Sequence, residues 1–459
     1  MVAEEMPVAL SSHRAVQWFR QRELTQYPQG WTQVWLLALV VIANVVHSYE
    51  AELAPVAPLL VPYLKLTLVQ YGLIVALTTM VSGLAAMAAG SRFDRYGRAI
   101  FVVASTVVTA VAVFAMTLVY NALSFILVRL LMAVVLGLAV PATTGLVRDF
   151  TPRVGRALGF GIWTFGPVGA NFLASWVAGW SLPLFHDDWR SQFILMGAFC
   201  LVVSIIVARY IRDLSPGLRA EVVHDRAEAA EASRRAAGRG ADIAPPRLVY
   251  RSFRVWALAV GITFFLLIYY FSTAYGPLYL TQVFHYPPAV AARVASTFWI
   301  ANLGVLVLVG YVSDRIGLRK ILSLLGVVGL LIFMAFWIRL IGRPVPPATM
   351  EWYTSLLGVL LAIGYGPWMA LYSENLEEIH PTLVGTGWAL WACVQYVLAG
   401  AAGAVTFLVV GRWGYQAWFD ICWAGIALYG ALLAFGKGPW LRRPRPLSER
   451  SSAVSPVDA

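Results

Sequence analysis

The chain has 459 residues, of which 60% are hydrophobic and only 12% charged, with a mean hydropathy of +0.72. Soluble domains carry about 25% charged residues, so a soluble globular protein is excluded and a polytopic membrane protein is expected. The net charge of +11 would suit a nucleic-acid ligand only if it were clustered, so its placement decides its meaning.

Residues 1–32 are mixed polar and lack the charged-then-apolar order of a cleavable signal, so they read as a cytoplasmic N-terminal segment. Apolar runs between charged or Pro/Gly breaks then predict spans near 33–60, 70–89, 99–120, 122–147, 157–181, 191–211, 254–280, 289–312, 321–340, 353–374, 384–410 and 415–436. Each is long enough to cross about 30 Å of hydrocarbon. The segment 213–250 separates six spans (33–212) from six (251–437), and its Ala, Glu and Arg content suits a cytoplasmic surface helix. A Pro, Ser and Arg-rich stretch at 438–459 reads as a disordered tail. With this topology 27 Lys and Arg residues fall on the side of the termini and 6 on the other, with Arg129 inside a span. That bias puts both termini in the cytoplasm of a bacterial inner membrane and makes the basic charge a topology signal, so no nucleic-acid partner is expected. Cys200, Cys393 and Cys422 stand singly in apolar runs, which argues against a disulfide scaffold, a metal centre or a cofactor.

The first span carries Asn44, His47, Tyr49, Glu50, Glu52 and Pro55. His47 and Glu50 are three apart on one helix flank. Antiparallel counting brings Glu50 to the depth of Arg129 in the fourth span, so His47, Glu50 and Arg129 form a candidate proton-coupling set, with protons as coupling ion. The plainer reading of His47 is a hydrogen bond that locks helix packing. In the fifth span Trp163 and Asn171 flank Gly166-Pro167, a bend that removes a backbone donor. Tyr269, Tyr270, Ser272, Thr273 and Tyr275 in the seventh span and Trp388, Trp391 and Gln395 in the eleventh could orient an organic solute against apolar walls. From these, Tyr269, Tyr270, Trp388, Trp391, Asn171 and Gln395 are the candidate substrate contacts, weighed against ordinary helix packing.

A repeat ties the halves together. After the second span the chain reads Gly90-Ser-Arg-Phe-Asp94-Arg95-Tyr-Gly97-Arg98, and after the eighth Gly310-Tyr-Val-Ser-Asp314-Arg315-Ile-Gly317 followed by Arg319 and Lys320. Glycine at the membrane end lets helices approach, aspartate accepts bonds from helix termini, and arginine pairs across helices, so the frame can latch and release two bundles. Glu374, at the end of the tenth span, could pair with Arg315 or Arg319, which would explain a cytoplasmic loop without Lys or Arg; Arg148 and Asp149 hold the analogous end of the fourth span, seven residues after Pro141 as Glu374 is after Pro367.

These motifs resemble the major facilitator superfamily, whose loop signature Gly90, Asp94, Arg95, Gly97 and Arg98 match closely and Gly310, Asp314, Arg315 and Gly317 match in the second half. The resemblance covers about residues 33–436. It implies an all-α fold of twelve transmembrane helices in two six-helix bundles around a cavity open to alternate sides. The stretch around Arg129 is similar to the family's fourth-helix pattern, whose arginine is associated with proton coupling, although Ala133 stands where glycine is usual. Gly161 to Ala170 partly resembles the signature of proton-coupled exporters. No nucleophilic triad or phosphate-cradling loop supports an enzyme. The expected function is therefore proton-coupled import of a small organic solute by a monomer among membrane lipids, with proton-coupled export of amphipathic metabolites or drugs as the alternative.

Overall fold

The computed structural model describes residues 23–48, 53–89, 98–150, 156–215, 217–218, 247–380 and 383–439. Helix α1 covers Trp31–Ser48, and a 3-10 turn at Ala54–Val56 leads into α2, Ala57–Tyr63. There follow α3 (Leu68–Ala89), α4 (Arg98–Ala115), α5 (Ala122–Phe150), α6 (Arg156–Leu184) and α7 (Trp189–Tyr210). Beyond the central segment lie a short α8 (Arg247–Tyr250), α9 (Phe253–Phe265), α10 (Leu267–Phe284), α11 (Pro288–Ile316), α12 (Arg319–Ile338), α13 (Pro347–Ile379) and α14 (Val384–Leu433). Among the described residues, ten helical stretches are long and apolar enough to cross a membrane. Hydrocarbon offers no partner to backbone N–H and C=O groups, which is why apolar runs of this length close their bonds internally as helix. Exposed aromatics sit where these helices end, as Trp31, Tyr120, Trp352 and Trp413 do, in the manner of an interfacial belt.

Three predicted boundaries change. The first span is not α-helical throughout: past residues 49–52, which lie outside the described ones, Pro55 and Pro58 each stand in the first turn of a further element, where a missing N–H costs nothing. The seventh span is divided at Leu266 between α9 and α10. The last two spans run together as α14, interrupted only by the non-helical Gly414 (φ 80°, ψ 173°).

The half before the central segment and the half after it touch along α3 with α14, along α6 with α11, and where the turn before α2 meets α10. Small residues make this approach possible: Ala178 and Leu182 of α6 pack on Ala289 and Ala292 of α11. The α6–α11 contact at these residues lies toward the ends joined by 184–189 and 284–288, whereas α3 and α14 touch from Gly72, against Gly403, to Gly83, against Tyr396. The opposite end is tied within each half. Arg98 meets Asp149 at 2.5 Å, and the Asp213 carboxylate accepts from the backbone N–H groups of Arg98 (2.6 Å) and Ala99 (3.2 Å), capping α4 from a distant segment. In a parallel bridge, Leu24 N–H donates to Asp213 C=O (2.8 Å) and Ser215 N–H to Leu24 C=O (2.9 Å). In the second half Arg319 meets Glu374 at 3.3 Å, Arg254 meets Glu378 at 2.7 Å, and Lys437 also pairs with Glu378.

Candidate functional site

A cavity of about 190 Å³ lies between the halves. Its first-half wall is Tyr71, Val75, Thr79 and Ser82 of α3, with Arg129 and Leu136 of α5 and Leu53 before α2. Its second-half wall is Tyr269 to Phe271 and Thr273 to Tyr275 of α10, with Gln395, Tyr396, Ala399, Ala402, Gly403 and Thr406 of α14. On α3 and α14 these positions recur every three or four residues, so each set is one helix face.

Charge enters from one side. Arg129 is 4% exposed, and its Nη2 donates to Thr78 Oγ1 at 3.1 Å, joining α5 to α3. Thr78 in turn donates to the Val75 carbonyl at 3.0 Å. A guanidinium in such a wall is a strong point of attraction for polar or anionic groups, because the low local dielectric weakens screening. Phenols dominate the facing wall. The Tyr275 hydroxyl donates to Gly403 C=O at 3.0 Å, and its ring meets Tyr71 edge-on across the halves at 5.9 Å. Tyr275 and Tyr71 thus join the two walls. The Tyr270 hydroxyl is buried in the same wall, beside the Gln395 side chain with which it interacts.

The structure brings Arg129, Tyr269, Tyr270 and Gln395 together in this lining. His47 is elsewhere: it is buried between α1 and α4, its Nε2 2.8 Å from Ser105 Oγ. Asn171 donates to the Pro167 carbonyl of its own helix at 3.0 Å. Trp388 and Trp391 lie in a packed group with Trp368 and Tyr372, and the Trp388 indole donates to Ser373 Oγ at 3.2 Å. Neither tryptophan is part of the cavity wall. Glu50 lies outside the described residues, as do Gly90, Asp94, Arg95 and Gly97; the Asp314 side chain is likewise outside them. Of the remaining loop residues, Arg98 binds Asp149 and the Gly145 carbonyl (3.1 Å). Gly317 ends α11 with φ +71°, a left-handed turn that glycine takes without strain. Arg319 is the residue that meets Glu374, and Arg315 instead lies over the ring of Tyr311 at 4.8 Å. Gly310 is an open position on α11.

The Gly166-Pro167 step of α6 has a partner on α1. Pro167 has no N–H for the Trp163 carbonyl one turn back, and Asn44 of α1 donates to that carbonyl at 3.1 Å. A side chain at Gly166 would overlap Asn44, so the glycine and proline act as one unit that seats α1 against α6.

Tyr71, Thr79, Ser82, Tyr396 and Thr406 were not singled out from the sequence as cavity residues. The available signal was the stripe of polar groups at 71, 78/79 and 82 on an otherwise apolar second span.

The Major Facilitator Superfamily profile matches residues 34–404. The chain belongs to that superfamily. No curated protein sequence gives a match. Among solved structures, the major facilitator chain is similar to a D-xylose-proton symporter (TM-score 0.67, 15% identity, 88% of this chain and 98% of that one). It is also similar to a bacterial homolog of the human lysosomal transporter Spinster in an inward-facing, unoccupied conformation (TM-score 0.64, 15% identity, 89% and 95%). The inward-facing, occupied form of that homolog gives a TM-score of 0.63 at 15% identity, covering 89% and 97%. The fold is that of the superfamily, all-α with ten stretches, among the described residues, long and apolar enough to cross a membrane.

Proposed function

We propose that this major facilitator protein is a proton-coupled symporter that imports a small organic solute by alternating access. The twelve spans form two six-helix bundles at 33–212 and 251–437, joined by the cytoplasmic segment 213–250, and the protein works as a monomer in the bacterial inner membrane with both termini in the cytoplasm. The observation that carries the reading is the cavity between the halves, with cationic Arg129 on one wall and tyrosines with Gln395 on the other. The tyrosine rings suit an apolar body, and Arg129, Gln395 and the hydroxyls suit its polar head.

Proteoliposome counterflow across a panel of organic acids, sugars, amines and aromatic solutes tests carrier function. Saturable counterflow of one class supports the reading; a panel that exchanges nothing, with protein correctly inserted, overturns it. An imposed pH gradient then tests coupling. Glu50→Gln should lower pH-driven accumulation more than counterflow, since exchange needs no net proton movement. Full pH-driven accumulation by that variant would remove Glu50 from the coupling set. The Gly166-Pro167 unit, seated by Asn44, favours the exporter as the second reading; proton-gradient-driven drug uptake into inverted vesicles, with no accumulation in right-side-out ones, would decide for it.

A further inference from the structure

The end of the first half where α4 begins is closed by a circuit of contacts that starts ahead of the first span. Leu24 N–H donates to the Asp213 carbonyl at 2.8 Å, and Ser215 N–H donates to the Leu24 carbonyl at 2.9 Å. The Asp213 carboxylate accepts from the Arg98 and Ala99 N–H groups at 2.6 and 3.2 Å. The Arg98 guanidinium then reaches Asp149 at 2.5 Å and the Gly145 carbonyl at 3.1 Å. One residue beyond Asp149, the Phe150 carbonyl accepts from Gln33 Nε2 at 2.6 Å. Gln33 lies on the same stretch of chain as Leu24, so the circuit returns to its start.

Residues 24–33 thus link the start of α4 and the end of α5 to the chain that leaves α7. Pro28 is buried, and Leu24 and Tyr27 pack on the apolar cluster that contains Phe150, Ile211 and Leu214. Asp213 stands three residues past the end of α7, outside any helix, and its peptide is fixed by the bridge to Leu24. A bridge of one residue pair has little stability of its own, because one hydrogen bond scarcely offsets the entropy of ordering the residues that make it. Closed into a circuit, each bond forms at lower entropic cost, since the others already hold its partners. Every member belongs to the first half, and Arg98 is the last residue of the Gly-Asp-Arg loop frame.

We propose that residues 24–33 are a strap that holds Arg98 in place: Leu24 fixes Asp213, Asp213 caps α4, and Gln33 pins the end of α5. The chain ahead of the first span is then a working part of the first-half latch. The inference rests on the transport reading for what the latch serves, but the strap is tested without transport. Opening it at either fastening loosens the start of α4.

Hydrogen–deuterium exchange of the full-length protein in detergent, resolved to single amides by electron-transfer fragmentation, reads the strap at Arg98 and Ala99. Leu24→Pro removes the donor to Asp213, and both amides are expected to exchange about tenfold faster or more. Gln33→Leu is the sharper variant, and it decides the matter if the proline variant does not fold, because Gln33 bonds to Phe150 and not to α4. In a closed circuit its loss is expected to quicken both amides several-fold while leaving the start of α12 unchanged. Exchange at Arg98 and Ala99 that ignores Gln33→Leu would overturn the strap, reducing it to separate contacts. Equal quickening at the start of α12 would overturn it too, since that is a general loosening of the protein. Absence of counterflow in the parent would sink the transport reading, and the exchange rates would still decide for or against the strap.

Discussion

The two halves solve the same loop-end problem with different burial. In the first, Arg98 at the start of α4 holds Asp149 at the end of α5, and the carboxylate is 4% exposed. In the second, Arg319 at the start of α12 holds Glu374 toward the end of α13, but that carboxylate is 51% exposed. The first cluster is enlarged by Asp213, which caps α4 and sits beside the Leu24 bridge. The second is completed by hydrogen bonds from Arg319 to Ser313 Oγ (2.7 Å) and from Lys437 N–H to Asn375 Oδ1 (2.8 Å). A buried pair is costly to break because a lone charge is left behind, whereas an exposed pair is remade by water. The same asymmetry runs through the cavity, where the first half contributes the cation and the second the phenols. One half is built to be held and the other to be let go.

Removing Asp149 should therefore have the largest effect. Asp149→Ala strands Arg98 and is expected to destabilise the protein by about 3–5 kcal/mol, read as a lowered unfolding midpoint in detergent. A midpoint shift no larger than that of Glu374→Ala would erase the distinction between the halves. In the cavity, Arg129→Lys keeps a positive charge but loses the planar fork that reaches Thr78, a bond to a charged group worth about 1.5–3 kcal/mol. Counterflow should fall about tenfold or more at matched protein incorporation, and parental rates would show that only the charge matters. Asp213→Ala removes a cap and is expected to cost about 1 kcal/mol. If it costs as much as Asp149→Ala, the cap is part of the buried ion pair and the two are not separate.

Much of the fold was legible because hydrocarbon demands long apolar helices, and charged or Pro/Gly breaks mark their ends. The repeated Gly-Asp-Arg frame was legible for a related reason: polar residues at fixed spacing beside apolar runs are conspicuous. The 3-10 turn at Ala54–Val56 was not foreseen, since residues 53–60 are as apolar as an unbroken span would be. Arg129, Tyr269, Tyr270 and Gln395 could be selected as polar groups in apolar surroundings. The α3 stripe escaped because Thr79 and Ser82 bond to carbonyls of their own helix, Val75 at 2.9 Å and Thr78 at 3.1 Å, and such hydroxyls are equally at home facing lipid. Trp388 and Trp391 show the reverse failure. They precede Gln395 by seven and four residues and share its helix face, but one and two turns toward the loop end α14 leans on Trp368 and Tyr372 of α13. Sequence gives the face of a helix; only the packing gives the depth at which that face meets a cavity.

The smallest expected effect on stability is at Glu374, and it is the one that bears most on gating. Glu374→Gln keeps the shape and a hydrogen-bonding oxygen for Arg319 while removing the charge, and Arg319 keeps its bond to Ser313. With half of the carboxylate in water, the loss is expected to be no more than about 1 kcal/mol. A change that small scarcely alters folding, yet it is enough to shift an equilibrium between two transport states several-fold if the pair exists in only one of them. Cysteine accessibility from each side of the membrane reads that shift, and unfolding midpoints read stability in the same samples. Altered accessibility with an unchanged midpoint would assign the second-half pair to switching. An unchanged accessibility would make it a brace like Arg98–Asp149, only weaker, and the contrast between the two halves would reduce to one of exposure.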